Sequence, residues 1–140
     1  MFIMPSSNTM QNSKSRIAIR NAALADVNAI CNLSERVYAG TGMYGYSPGA
    51  VTGQINHFPQ GQFVITVDEK VVGYCATFRI SEDAVLKPHT WEEVTGNGYA
   101  SRHNPNGEWL YGMEVSVDPD YRGYRLGQRL YNERKRLCQS

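Results

Sequence analysis

Val115-Ser116-Val117-Asp118-Pro119-Asp120-Tyr121-Arg122-Gly123-Tyr124-Arg125-Leu126-Gly127-Gln128-Arg129-Leu130 is the most informative stretch of this chain. A strand ends at Val117, Asp118-Pro119 stops it, and a basic, glycine-bearing turn over residues 121–127 leads into a helix that starts at Leu126. The first turn of a helix leaves N–H groups without intrahelical partners, and its dipole end is positive. Together they suit a phosphate group. Glycine lets the backbone approach such a group closely, and Arg122, Arg125 and Arg129 add positive charge around it. A charge-assisted hydrogen bond contributes roughly 1.5–3 kcal/mol, so two or three amides give useful affinity without a metal. A plain strand–turn–helix with a solvated basic start is the alternative. The particular order of elements around the turn argues against it.

Upstream, residues 16–20 alternate polar and apolar and read as a half-buried strand. Leu24, Val27, Ile30, Cys31, Val37 and Tyr38 have helical spacing over 24–38, with Asp26 in the first turn. Residues 39–46 are a Gly- and Tyr-rich loop. Ser47-Pro48 then starts a short helix to about His57. Strands over 62–67 and 71–80 flank a turn at Asp68-Glu69-Lys70, with Gly73 as a bulge or close-approach point. Residues 81–107 form a long excursion with helical character near 89–94, of the kind that is more often functional than ornamental. The strand over 108–117 is expected to place Trp109, Tyr111, Met113, Val115 and Val117 on one face and Leu110, Gly112, Glu114 and Ser116 on the other. The last helix is expected to bury Leu126, Leu130, Tyr131, Leu137 and Cys138.

Composition narrows the classes. The chain has 140 residues, 41% hydrophobic and 19% charged, with a net charge of +1. That is enough for one ordinary globular core and gives no reason to expect nucleic acid or a membrane as partner. A nucleic-acid helix drawn from Arg122, Arg125, Arg129, Arg134, Lys135 and Arg136 is disfavoured by that near-neutral balance. Residues 1–15 are polar and Ser/Asn-rich and read as a flexible tail without a secretory pattern. Cys31, Cys75 and Cys138 have no metal or CxxC spacing and read as small buried or half-buried thiols of a reducing, cytoplasmic protein. His57, His89 and His103 also lack metal spacing, so no metal is expected.

The segment resembles motif A of the GNAT (GCN5-related) N-acyltransferases, whose pattern is Gln/Arg-x-x-Gly-x-Gly/Ala. Arg122 matches its first position and Gly127 its last, while Arg125 stands where the pattern has its middle glycine. An arginine there is tolerable if its backbone is already helical, because the ligand needs the N–H. The resemblance covers residues 16 to about 138. It implies an α/β (α+β) fold with a mixed, mostly antiparallel central sheet flanked by helices, and acetyl-CoA as cosubstrate. It further implies that Val115, Ser116 and Val117 pair by main chain with pantetheine, and that Gly123, Tyr124, Arg125, Leu126, Gly127 and Gln128, beside Arg122, hold the pyrophosphate. His89-Thr90-Trp91, residues 109–115 and residues 128–131 are similar to the acyltransferase domain that precedes a carbon–nitrogen hydrolase in certain bacterial fusions.

The family fold normally continues with a fifth strand and a helix whose tyrosine protonates the leaving thiolate. Ending at Ser140, residues 16–140 read as an incomplete domain, with the C-terminal part absent and an open strand edge that invites a homodimer or fusion to a further domain. The expected activity is transfer of an acetyl group from acetyl-CoA to a primary amine by direct attack. The alternative is a non-catalytic acyl-CoA-binding regulatory module of a larger enzyme. Glu114 is the candidate general base, where the physical demand is a carboxylate near the amine. Otherwise it is a strand glutamate that is paired or faces solvent, and Glu108 is the weaker candidate. Tyr44, Tyr46 and Trp91 are candidates to line an acceptor groove, and no charged stripe in the sequence selects the acceptor.

Overall fold

Strands β1 (Ile17–Asn21), β2 (Phe63–Val67), β3 (Lys70–Ile80) and β4 (Trp109–Val117) form one sheet in the order β1-β2-β3-β4. Every pairing is antiparallel. The computed structural model describes residues 16–140, so the tail expected over 1–15 lies outside it. Asp68 and Glu69, with φ of +50° and +70°, make the β2–β3 turn left-handed at both central residues. This is the twist that two-residue hairpins favour.

Helices cover both faces of the sheet. Ile30 and Leu33 of α1 (Val27–Tyr38) and Val51 and Ile55 of α2 (Pro48–His57) pack with Tyr74, Ala76 and Phe78 of β3. On the other face, Leu126 and Leu130 of α5 (Leu126–Gln139) pack with Ile65, Val72 and Cys75. Burying each leucine contributes about 1.5–3 kcal/mol. Ser47 caps α2 as its sequence predicts, its Oγ accepting from the Ala50 amide at 3.2 Å. The excursion holds two short helices, α3 (Glu82–Leu86) and α4 (Trp91–Thr95). Each is fixed by a hydroxyl cap, from Ser81 and from Thr90.

Several expectations are corrected. The helix expected from residue 24 begins as a 3-10 turn over Leu24–Asp26, and Leu24 is exposed. Asp26 closes that turn, accepting from the Ala23 amide at 2.8 Å and from the Arg20 guanidinium at 2.8 and 3.0 Å. On α5, Tyr131 and Cys138 are exposed and only Leu126 and Leu130 are fully buried, with Leu137 half-buried. A strict 3.6-residue period runs 126, 130, 134 and 137, and Tyr131 lies off it.

β4 departs from simple alternation. Its register against β3 shifts between Ala76 and Thr77: Ala76 faces Glu114, whereas Thr77 faces Gly112. Met113 is therefore an extra residue, a β-bulge. Directly opposed residues share a face. Tyr111 (opposite Phe78), Glu114 (opposite Ala76) and Ser116 (opposite Tyr74) thus lie on the α1/α2 side. Val115 (opposite Cys75) and Val117 (opposite Gly73) lie on the α5 side. The bulge moves Glu114 and Ser116 to the face opposite that of Leu110 and Gly112.

Candidate functional site

The turn after β4 is built around Asp118, whose side chain is only 1% exposed. Its Oδ1 accepts from the Asp120 amide at 2.9 Å, and its Oδ2 accepts from Arg36 Nη2 and Nε at 2.9 and 3.2 Å. Burial alone would raise the Asp118 pKa. The Asp120 amide, the Arg36 guanidinium and the Lys70 charge outweigh it and hold the carboxyl below its usual value. Arg36 thereby ties α1 to the turn that launches α5.

Beyond this turn the chain passes through two left-handed residues, Gly123 at φ +92° and Arg125 at φ +60°. Arg125 is the N-cap of α5, and no side chain caps the helix. Its backbone is left-handed, not helical as the sequence reading required, so it stands in a conformation that glycine adopts without the roughly 1–2 kcal/mol charged to other residues. Arg129 donates the first backbone bond of the helix, to the Arg125 carbonyl at 3.2 Å. Among the described residues, the amides of Leu126, Gly127 and Gln128 find no partner, as the start of a helix dictates. A Cβ placed on Gly123 or Gly127 would meet nothing within 4 Å, so open space lies in front of both. Arg122, Arg125 and Arg129 are exposed, and among the described residues none of them forms an ion pair. Tyr124 and Gln128 are exposed, whereas Leu126 is 1% exposed and anchors the helix beneath the loop. The residues predicted to cradle a pyrophosphate therefore form one uncapped helix start with exposed arginines around it. Unpaired amides, open glycines and free guanidinium groups fit that group.

Val115, Ser116 and Val117 lead toward this turn along β4, which pairs with β3 on one side only among the described residues. Val115 is exposed, Val117 half-buried and Ser116 buried. On the α1 side of the bulge, Glu114 accepts from the Tyr38 hydroxyl, at 2.9 Å to each carboxylate oxygen, and from Ser116 Oγ. Burial, then the Glu114 charge and this hydrogen bond, push the Tyr38 phenol up to about 12. The same burial and charge push Tyr46 up. Glu108 lies before β4, where its Oε1 accepts from the Glu82 amide at 3.2 Å.

Of the aromatic candidates, Tyr46 and Trp91 approach each other with ring centroids 6.4 Å apart, and Trp91 Nε1 donates to the Met113 carbonyl at 3.4 Å. Trp91 thus holds the bulge residue from the α4 side. Tyr44 is 95% exposed. His89 meets the edge of Tyr111, while His57 and His103 line a separate cavity of about 400 Å³ around the start of β4 and the end of α5. Among the described residues, no cluster of metal-type ligands occurs, and no helix is long and apolar enough to cross a membrane. Cys31 and Cys75 are buried, but Cys138 is exposed, against expectation. Sequence reading missed Tyr38 and Arg36 as site residues. Their partners lie 76 and 82 positions away, beyond the reach of any local pattern.

Residues 28–140 match the family model described as the acetyltransferase (GNAT) family. The chain is 35% identical over 123 residues to the probable hydrolase YhcX of Bacillus subtilis (strain 168), covering 88% of this chain and 24% of that protein. It is 26% identical over 118 residues to the uncharacterized N-acetyltransferase YkwB of the same bacterium, covering 83% of this chain and 52% of that one. It thus spans about a quarter and about half the length of these two relatives. Among solved structures it is similar to the GphF GNAT-like decarboxylase in complex with isobutyryl-CoA, with a TM-score of 0.70 and 26% identity, covering 82% of this chain and 55% of that one. With the match over residues 28–140 and the fold in agreement, this chain belongs to the GNAT acetyltransferase family.

Proposed function

We propose that this chain binds acetyl-CoA and transfers its acetyl group to a primary amine. The observation that carries the reading is the uncapped start of α5, with Gly123 and Gly127 facing open space and three arginines around it that form no ion pair among the described residues. The amides of residues 126–128 would hold the pyrophosphate, and the free edge of β4 at residues 115–117 would take the pantetheine arm as an added strand. Acetyl-CoA supplies the thioester. The amine nitrogen attacks its carbonyl carbon, the C–S bond breaks, CoA leaves as the thiolate, and Glu114 takes the proton lost by nitrogen. Tyr38 and Ser116 hold the Glu114 carboxylate in place for this step.

A non-catalytic acyl-CoA-binding module is the second reading, favoured because both Glu114 oxygens already accept hydrogen bonds. Thiol release from acetyl-CoA in the presence of primary amines separates the two. The first reading predicts amine-dependent release that Glu114→Gln reduces by roughly a hundredfold or more. Tight CoA binding without amine-dependent release would establish the second.

A further inference from the structure

A groove of about 800 Å³ runs between α1 and the loop that leads to α2. Its floor is one polar stripe of α1: Asn28, Asn32, Glu35 and Tyr38 recur at intervals of four, three and three residues and so share a helix face. Tyr38 ends the stripe and holds Glu114. Met43 and Tyr44 stand on the opposite wall, 63% and 95% exposed, with apolar and aromatic surface turned to solvent. Among the described residues, Glu35 is the one charged side chain of the lining, and it is acidic. The adjacent cation on α1, Arg36, is turned away to Asp118.

We infer that this groove binds the acceptor, and that the acceptor is an alkyl diamine whose second ammonium group sits on Glu35. The inference rests on the acyl-transfer reading for the role of the amine held at Glu114. Carboxylate and asparagine carbonyl oxygens accept from an ammonium group. Exposed aromatic and thioether surface takes a methylene chain, and an aromatic face attracts a cation. Glu114 reaches the groove through Tyr38, which lines it and stands about one helical turn from Glu35, so the far ammonium group lies along the α1 axis from the residue that holds Glu114. An acceptor with a carboxylate at its far end would meet Glu35 with like charge and be rejected.

Calorimetry on the CoA-loaded protein, with 1,4-diaminobutane, butylamine and 4-aminobutyrate as probes, tests this. The diamine is expected to bind about fivefold more tightly than butylamine, the scale of one solvent-facing ion pair, and 4-aminobutyrate to bind more weakly than either. Glu35→Gln should remove the advantage of the diamine and leave butylamine and CoA affinity unchanged. Diamine binding that depends on Glu35, with no acetyl transfer to any amine, would support the groove and sink the transfer reading. Transfer to butylamine and the diamine alike, indifferent to Glu35→Gln, would overturn the groove inference and leave the transfer reading standing. Failure of the diamine to bind, or binding of 4-aminobutyrate equal to that of the diamine, would also overturn it.

Discussion

The Tyr38 hydroxyl donates to both carboxylate oxygens of Glu114, at 2.9 Å each, and so joins the last residue of α1 to the bulge of β4. The bulge is what makes the contact possible. In unbroken alternation from Leu110 and Gly112, Glu114 would face α5. Removing the phenol leaves Ser116 as the remaining hydroxyl on the carboxylate. Tyr38→Phe should therefore lower kcat about tenfold, the value of one hydrogen bond to a charged group, with the Kd for acetyl-CoA unchanged. Steady-state kinetics beside a CoA titration checks the split. A loss of CoA affinity without a change in kcat would remove Tyr38 from the reaction.

Asp118 predicts acid sensitivity. Its folded pKa is depressed, so its contribution to stability is complete above the unfolded value of about 3.9 and is lost as pH falls through the folded value. Asp26 is lowered in the same direction, first by its hydrogen bond with Arg20. Asp118→Asn should cost about 1–3 kcal/mol at pH 7, because Arg36 and the Asp120 amide lose a charged acceptor. The gap to the parent protein should close as pH falls below the unfolded value and through the folded one. Urea unfolding across that range would show it, and a gap that persists unchanged at low pH would mean that the Asp118 charge contributes nothing.

At Arg125 a side chain occupies a left-handed N-cap that glycine would fill without steric cost. Arg125→Gly removes that strain and adds freedom to the unfolded chain. The net effect should be a gain of about 0.5–1 kcal/mol. Acetyl-CoA affinity should change little, because the amides of residues 126–128 remain. Thermal unfolding with and without ligand measures both. A large fall in affinity would show that the guanidinium, not the backbone, holds the ligand.

The hairpin at Asp68-Glu69, the Ser47-Pro48 helix start and the launch of α5 at Leu126 were legible because each is written in neighbouring residues. The uncapped turn ahead of α5, with its open glycines and exposed arginines, was legible in the same way, and its role as a phosphate cradle is the proposal made above. The face of Glu114 was not. Strand reading assumes a period of two, and Met113 adds one residue that only the pairing with β3 reveals. The left-handed Arg125 was hidden for a similar reason, since arginine carries no signal for positive φ. Arg36 and Tyr38 looked like ordinary positions near the end of α1. Their roles come from partners on and just beyond β4, which the fold, not the local sequence, brings close.

Calorimetric titration of acetyl-CoA into the parent protein, Gly127→Glu and Arg136→Glu tests the phosphate cradle most directly. A side chain at Gly127 enters open space, and a glutamate in the first turn suits the helix dipole, so the fold should be preserved while the pyrophosphate is displaced and repelled. Arg136 lies exposed near the far end of α5, paired with Glu133, and serves as the control. The parent and Arg136→Glu should bind alike, and each should gain about 2.7 kcal/mol of stability at a hundredfold excess of ligand over Kd. Gly127→Glu should show no heat of binding and no thermal shift while keeping the parent's circular dichroism. Binding of acetyl-CoA to Gly127→Glu with the parent's affinity, or no binding to any of the three, would contradict the assignment of the cradle.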